Sequence, residues 1–445
     1  MFANSMFGYY LSLALRSFKR NKALTALMMV AIALGIGASM TTLTVFHVLS
    51  GDPIPQKSDK LFYPRIEPRG MNGYRAEGDD PATQMTRYDA ERLLREKRGD
   101  RQALMTAGNA AVEPGKPGVD PFYADSRFTT ADFFAMFDAP FAHGRGWSAD
   151  EEQARARVAV ISKKLNEKLF GAGVNSVGRT MRMEQKDFKV VGVLDEWSMA
   201  PKFYDMTSGS YSTDEQVFLP FWTAMSLEMD TSGSMDCWAD NPDKDDKEGS
   251  RGVNARCVWL QYWVELGTPA KVEAYKQYLI NYSDQQRAAG RFERPTNTRL
   301  HSVMEWLDEN NVVPPDVRLQ SWLAFGFLFV CLLNTVGLLL AKFLRRSAEI
   351  GVRRALGATR RTIFAQFLIE SGVIGLAGGA LGLALAYVGL WAVRQQPTNY
   401  AEFVHFDGTM LLMTVAFTLL ASLLAGVLPA WRACQVTPAI QLKSQ

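Results

Sequence analysis

The stretch LQSWLAFGFLFVCLLNTVGLLLAKFLRRSAEIGVRRALGATRR, residues 319–361, contains an uncharged run from Leu319 to Ala341. From Lys342 onward it turns abruptly basic, with Arg345, Arg346, Arg353, Arg354, Arg360 and Arg361 against the single acid Glu349. A span of the hydrocarbon core needs about 20 apolar residues in an α-helix, and lipid offers backbone groups no other partner. Leu319–Ala341 therefore reads as a membrane helix whose far end meets a basic surface loop. Three further runs lack Asp, Glu, Lys and Arg: Ala23–Gly51, Ser371–Val393 and Gly408–Trp431. Each is bracketed by charge, so four membrane helices are expected rather than buried helices of a water-soluble protein.

Whole-chain averages conceal this division. Over 445 residues the formal net charge is +3, and the mean hydropathy is −0.08. Neither value selects a partner class, and no charge run points to nucleic acid. The first run is too long for the apolar part of a cleaved signal peptide, and no cleavage site follows it. It reads as an anchor that stays in the membrane.

Orientation follows from the basic residues. Arg16, Lys19, Arg20 and Lys22 precede the first run, and the Arg-rich loop follows the second. The segment between the third and fourth runs holds Arg394, Glu402 and Asp407, with no basic excess. The positive-inside rule places the N-terminus, the Arg-rich loop and the C-terminus in the cytoplasm. The predicted order is a cytoplasmic segment (1–22), a first span (23–51), an external domain (52–317) and a second span (318–341). A cytoplasmic loop (342–361), a third span (362–393), an external loop (394–407), a fourth span (408–431) and a cytoplasmic tail (432–445) complete it. In Met6–Arg20, Phe7, Tyr10, Leu11, Ala14 and Phe18 recur at helical spacing. This segment is either an interfacial helix or a plain extension of the first span.

The external domain reads as α+β in two lobes. Arg157–Ser162 has strand character, and Ser162 is placed to cap a helix over Lys163–Phe170 that stops at Gly171. Phe188–Leu194 and Cys257–Leu266 read as strands, and Pro269–Tyr282 as a helix. Asp316–Gln320, after Pro314-Pro315, is expected to open the second span. Cys237 and Cys257 are the only cysteines in this domain and form a candidate disulfide, two unrelated thiols being the alternative. Cys331 falls in a span and Cys434 on the cytoplasmic side. The acids Asp240, Asp243, Asp245, Asp246 and Glu248 lack the spacing of a calcium loop and read as solvated.

Little else in the chain carries chemistry. His47, His143, His301 and His405 are scattered without metal-ligand spacing, so no metal site is expected. No nucleophile elbow, zinc-protease motif or phosphate loop occurs, and Pro114-Gly115-Lys116-Pro117 lacks the needed spacing and hydroxyl. The sequence predicts no catalytic residue. An ion-coupled transporter would place paired charges near the midplane, and the four runs contain none.

Within Lys342–Arg361, Ser347 is placed to cap a short helix in which Glu349 suits the N-terminal dipole and pairs with Arg353 at i,i+4. Ala348, Val352, Ala355 and Thr359 share one face, and Gly357 is placed to end the helix. Such a helix either receives force from a soluble partner or merely sets topology against anionic headgroups. Glu370, at the cytoplasmic end of the third span, reads as an interfacial ion pair with Arg360 and Arg361. Gly375/Gly379 and Gly378/Gly382 are small-xxx-small pairs, expected to pack within the subunit rather than across a dimer.

Arg346-Ser-Ala-Glu349-Ile350-Gly351-Val352-Arg353-Arg354-Ala355-Leu356-Gly357-Ala358, with Phe367-Leu-Ile-Glu370, resembles the signature of the MacB/FtsX superfamily of ABC permeases. Leu428-Pro-Ala-Trp431-Arg432-Ala433 and Pro438-Ala-Ile-Gln-Leu442 resemble its C-terminal end. Ala14–Phe18 with Asn21-Lys22 resembles the family's entry segment. Phe133-Phe134 to Gly146, Val158–Ile161, Leu169–Gly171 and Val177-Gly178 resemble its periplasmic domain. The resemblance implies that Glu349–Gly357 is a coupling helix docking on cytoplasmic ABC ATPase subunits, which bind ATP and Mg on a separate chain. It further implies a pair of permeases, this chain twice or with a relative, in the inner membrane. Export of peptides, toxins or drugs with a periplasmic adaptor and an outer-membrane channel is then expected. Lipoprotein release, or regulation of a cell-wall hydrolase, is the alternative. The family's fused ATPase has no counterpart here, and Cys434 and the charged loop after Cys237 depart from its pattern.

Overall fold

In the computed structural model the described residues are 22–115, 120–238, 249–396 and 408–435. The predicted helix at Met6–Arg20, the acids Asp240–Glu248, the external loop from 397 to 407 with His405, and Pro438–Leu442 lie outside them. The chain divides into a unit of Met1–Gly51 with Val313–Gln445, and a second of Asp52–Val312.

Helix α1 (Lys22–Ser50) comes first. The external unit then runs β1 (Leu61–Arg65), β2 (Met85–Thr86), α2 (Arg87–Glu96), β3 (Arg101–Glu113), β4 (Phe122–Thr129), α3 (Phe133–Met136) and β5 (Phe141–Gly144). It continues through α4 (Ala149–Gln153), β6 (Val158–Ile161), α5 (Lys163–Phe170), β7 (Thr180–Met183), β8 (Lys186–Leu194), β9 (Val217–Pro220) and α6 (Phe221–Ser226). The short β10 (Thr231–Ser232) and β11 (Asp236–Cys237) precede β12 (Cys257–Glu265), α7 (Pro269–Ala288), β13 (Arg299–Ser302) and α8 (Val303–Glu309). The helix predicted over Pro269–Tyr282 thus continues for six more residues, to Ala288.

One sheet runs through both lobes in the order β13-β1-β12-β3-β4-β9-β6-β8-β5. Strands from 61–113 and 257–302 form one end, and strands from 122–220 the other. They join where β3 and β4 pair antiparallel from Met105↔Thr129 to Val112↔Phe122. Strand β12 is buried at all nine positions, as a central strand covered on both faces should be. Ser162 caps α5 as its sequence predicts, its Oγ accepting the Leu165 N–H at 3.2 Å. Cys237 and Cys257 are cross-strand neighbours of β11 and β12, joined in a disulfide with Cα atoms 4.1 Å apart.

Between β8 and β9 a long connection carries Trp197, Phe203, Tyr204, Asp205 and Glu215 into the core. Arg127 of β4, itself fully buried, reaches Asp205 at 2.6 Å and also pairs with Glu215. Lys202 lies 3.4 Å from Glu215, and Tyr204 donates its hydroxyl to the same carboxylate at 2.8 Å. Two buried cations thus face two buried carboxylates. Burial alone would push the Glu215 carboxyl up, but Arg127 and Lys202 hold it down at about 2. Around them Phe133, Phe137, Phe203, Tyr204 and Trp263 meet edge-on or tilted. Trp263 and Trp306 donate their indole N–H groups to the carbonyls of Tyr204 and Phe203, both at 3.2 Å.

The second unit adds α9 (Pro315–Leu344), α10 (Ser347–Ala355), α11 (Arg360–Arg394) and α12 (Gly408–Cys434) to α1. Four of these helices have the length and apolar composition of membrane spans. Helix α9 opens at Pro315 behind Pro314, a turn earlier than the predicted 318 and ahead of Asp316, because proline at N1 gives up no needed N–H. Their lipid-type faces expose Leu323, Phe329 and Leu333 of α9 and Leu420 and Leu424 of α12. The two small-xxx-small pairs of α11 meet different helices. A Cβ on Gly378 would lie 2.9 Å from Ile32 Cβ of α1, and one on Gly379 would lie 2.1 Å from Thr418 Cγ2 of α12. Glycine there lets three helices approach at one level, within the chain as expected.

Candidate functional site

Helix α10 lies between two candidate spans, at the end of α9 away from Pro315. Ser347 does not cap it. Arg346 occupies the N-cap with φ −101°, and Ser347 is already the first helical residue, without a capping bond. The backbone folds over from Arg345 and Arg346, whose N–H groups still bond to α9 carbonyls, so the turn leaves Ser347 no extended position. The other end follows the sequence closely. Gly357 has φ +103°, its N–H bonds to Arg354 O at 3.1 Å, and the Ala358 N–H bonds to Arg353 O at 3.0 Å. That paired closure is a Schellman motif, which requires the left-handed residue glycine supplies.

The helix has two faces. Ile350 and Gly351 are buried, Ile350 clustering with Phe343 of α9 and Ile363 and Phe367 of α11. Ala348, Val352, Ala355 and Thr359 are exposed, and Leu356 is 83% exposed. Glu349 accepts from Arg353 at 2.8 Å, and a second guanidinium nitrogen of Arg353 donates to Gln366 of α11 at 2.9 Å. Arg354 donates to the Cys434 carbonyl at the end of α12, at 3.4 Å. A basic side chain on a helix's last carbonyl satisfies an otherwise orphaned acceptor.

Glu370 departs from the sequence reading. Its partners are Lys342 of α9 at 2.8 Å and Arg346 at 3.2 Å, rather than Arg360 and Arg361. Lys342 and Glu370 are both essentially unexposed, and Lys342 also reaches Thr25 of α1 at 3.4 Å. Glu370 lies ten residues into α11, about 15 Å from its start, so its side chain faces the bundle while Arg360 and Arg361 project outward. Gln366, Lys342 and Cys434 were not singled out as anchors by sequence. They become anchors only through helix packing, and no local spacing signals that. The structure thus brings Glu349–Gly357 together with the ends of α9, α11 and α12. Cys237 and Cys257 belong to the other unit. Among the described residues no cluster of His, Cys, Asp and Glu could hold a metal ion.

Comparison with known proteins places both halves. A MacB-like periplasmic core domain model matches residues 25–282, and an FtsX-like permease C-terminal model matches residues 321–438. The chain is 27% identical over 323 residues to a pyoverdine export ATP-binding/permease protein, PvdT, of Pseudomonas syringae pv. tomato, covering 70% of this chain and 42% of that protein. It is 25% identical to the macrolide export ATP-binding/permease protein MacB of Rhodospirillum rubrum, over 99% of this chain and 61% of that protein. The chain therefore spans less than two thirds of the length of these relatives. The periplasmic region of MacB from Actinobacillus actinomycetemcomitans aligns with 56% of this chain and 92% of that structure, at 12% identity and a TM-score of 0.35. With a core-domain match over more than half its length, followed by the permease match, this chain belongs to the MacB-like periplasmic core domain family and carries an FtsX-like permease domain after it.

Proposed function

We propose that this chain is the permease subunit of an ABC transporter of the inner membrane, with its large domain in the periplasm. In this reading α10 docks on a cytoplasmic ATPase carried by a separate chain, which holds ATP and Mg. Two such ATPases serve a pair of permeases, formed by this chain with a second copy or a relative. Hydrolysis moves the membrane helices and through them the external domain, driving export of peptides, toxins or drugs. A periplasmic adaptor and an outer-membrane channel would extend the path. The names of the relatives, export ATP-binding/permease proteins, support both the export and the ATP dependence.

The observation that carries the reading is the division of α10 into an anchored and an exposed face. Arg346, Arg353 and Arg354 tie it to Glu370, Gln366 and the Cys434 carbonyl, so a push on α10 passes to α11 and α12 rather than dissipating in a loop. The exposed Val352 and Leu356 meanwhile offer an apolar contact between two spans. Buried apolar anchors dominate the energetics of such docking surfaces.

Reconstitution with the ATPase that copurifies with the chain tests this. Leu356→Asp and Val352→Asp should lower permease-stimulated ATP hydrolysis by about tenfold or more, the equivalent of about 1.4 kcal/mol of docking energy, with membrane insertion unchanged. Glu349→Arg, which replaces the partner of Arg353 by a like charge, should act in the same direction. Full stimulation in Leu356→Asp would remove the docking role.

A further inference from the structure

The external unit contains a cleft of about 680 Å³ that the permease reading does not use. One wall is the end of α2 and the start of β3, and the other is α4 with Trp222 of α6. The volume falls in the range of small-molecule sites, about 300–1,000 Å³. Its charged groups divide into spent and unspent. Arg95 and Arg101 line it but are paired with Glu91 at 3.2 Å and Glu265 at 2.9 Å. Lys97 and Arg155 also line it, are exposed, and have no ion-pair partner among the described residues. Both are held in left-handed turns, with φ of 47° and 50°, at the ends of α2 and α4.

Glu152 is the unusual member. It is only 8% exposed, one carboxyl oxygen accepts the Ala131 N–H at 3.1 Å, and the other has no hydrogen-bond partner among the described residues. Asp132 beside it spends one oxygen on the Gln102 N–H at 3.0 Å. A buried acceptor left without a donor costs about 1–3 kcal/mol, which a ligand's donor recovers as the Glu152 side chain turns that oxygen toward the cleft. Burial, with Asp132 adding, pushes the Glu152 carboxyl up to about 7, so an arriving ammonium would find a group ready to ionise.

We propose that this cleft binds a small zwitterion of the amino-acid or dipeptide type. Its ammonium sits on Glu152 and Asp132, its carboxylate on Lys97 and Arg155, and its side chain against Trp222. A ligand of one sign would leave either the two free cations or the two carboxylates unmatched. The inference is independent of the docking role of α10, since every residue it uses lies in Asp52–Val312.

The test is calorimetric titration of the full-length chain in detergent at pH 7.5 with leucyl-leucine, its N-acetyl derivative and its C-terminal amide. The free dipeptide should bind, and each blocked form should bind at least about tenfold more weakly, the scale of one lost charged contact. Glu152→Gln should weaken the free dipeptide by a similar factor while leaving the N-acetyl form unaffected. Lys97→Ala should weaken the free dipeptide but not the amide. An unchanged thermal unfolding profile of Lys97→Ala, an exposed site, shows that the fold is intact. Absence of dipeptide binding overturns the proposal, as does equal binding of blocked and free forms, or of acetate and the dipeptide.

Discussion

Arg127 in the external unit and Lys342 in the membrane unit are both cations removed from solvent, yet their surroundings differ. Arg127 and Lys202 face Asp205 and Glu215, a balanced set enclosed by aromatic rings. Among the described residues Lys342 and Arg346 both pair with Glu370, with Thr25 as an extra oxygen. In the water-facing unit the ionic set closes a long connection against the sheet, so it resembles a structural pin. In the membrane unit the set joins α9, α11 and the root of α10, and Arg346 remains partly exposed. That set lies where α9, α10 and α11 meet, the position of a joint between them. Buried pairs are weak evidence for stability but strongly destabilising when halved, and that asymmetry makes the contrast measurable.

Arg127→Met should have the largest effect, about 5 kcal/mol of lost stability, because two carboxylates are left with only Lys202. Thermal unfolding of the full chain in detergent measures it. A loss under about 1 kcal/mol would mean that water reaches the pin. Glu370→Gln should cost less, about 3–4 kcal/mol, since Arg346 can turn toward solvent while Lys342 cannot. If the membrane set is a joint, this variant should also weaken ATPase stimulation. Equal losses in both variants, with stimulation intact, would erase the distinction.

Glu152 is a third case, a buried carboxyl with no ion-pair partner among the described residues. Its carboxyl, ordinarily near 4.5, stands at about 7 in the fold, so between those values the folded chain holds a proton that the unfolded chain has released. Its contribution is fully favourable below pH 4.5 and is lost as pH rises through 7. Glu152→Gln should therefore stabilise by up to about 3 kcal/mol at pH 8 and by almost nothing at pH 4.5. Unfolding midpoints of the two proteins at both pH values give the difference. A pH-independent effect would show that the carboxyl stays ionised.

The four spans were legible because the bilayer imposes a length and forbids charge, both of which can be counted along a sequence. The α5 cap at Ser162 and the αL stop at Gly357 were legible for a related reason, each being decided within four or five residues. The partners of Glu370 were not. Arg360 and Arg361 are close in sequence, but a helix turns them away, while Lys342 and Arg346 arrive from another helix. Ser347 has the chemistry of a cap but does not act as one, because the chain leaves α9 without an extended residue. The cleft at Glu152 was invisible for the same reason as the Arg127 pin, since its walls come from residues 94–102, 130–155 and 222.

By itself the sequence determined where the chain can cross a membrane, which loop is basic, and where α10 must stop. These depend on composition and on bonds between near neighbours. Only the tertiary structure decided which face of α10 is anchored, which carboxylate joins the helices, and which charges are left unspent. Those are set by side chains that meet across elements tens to hundreds of residues apart, where burial rather than spacing selects the partner.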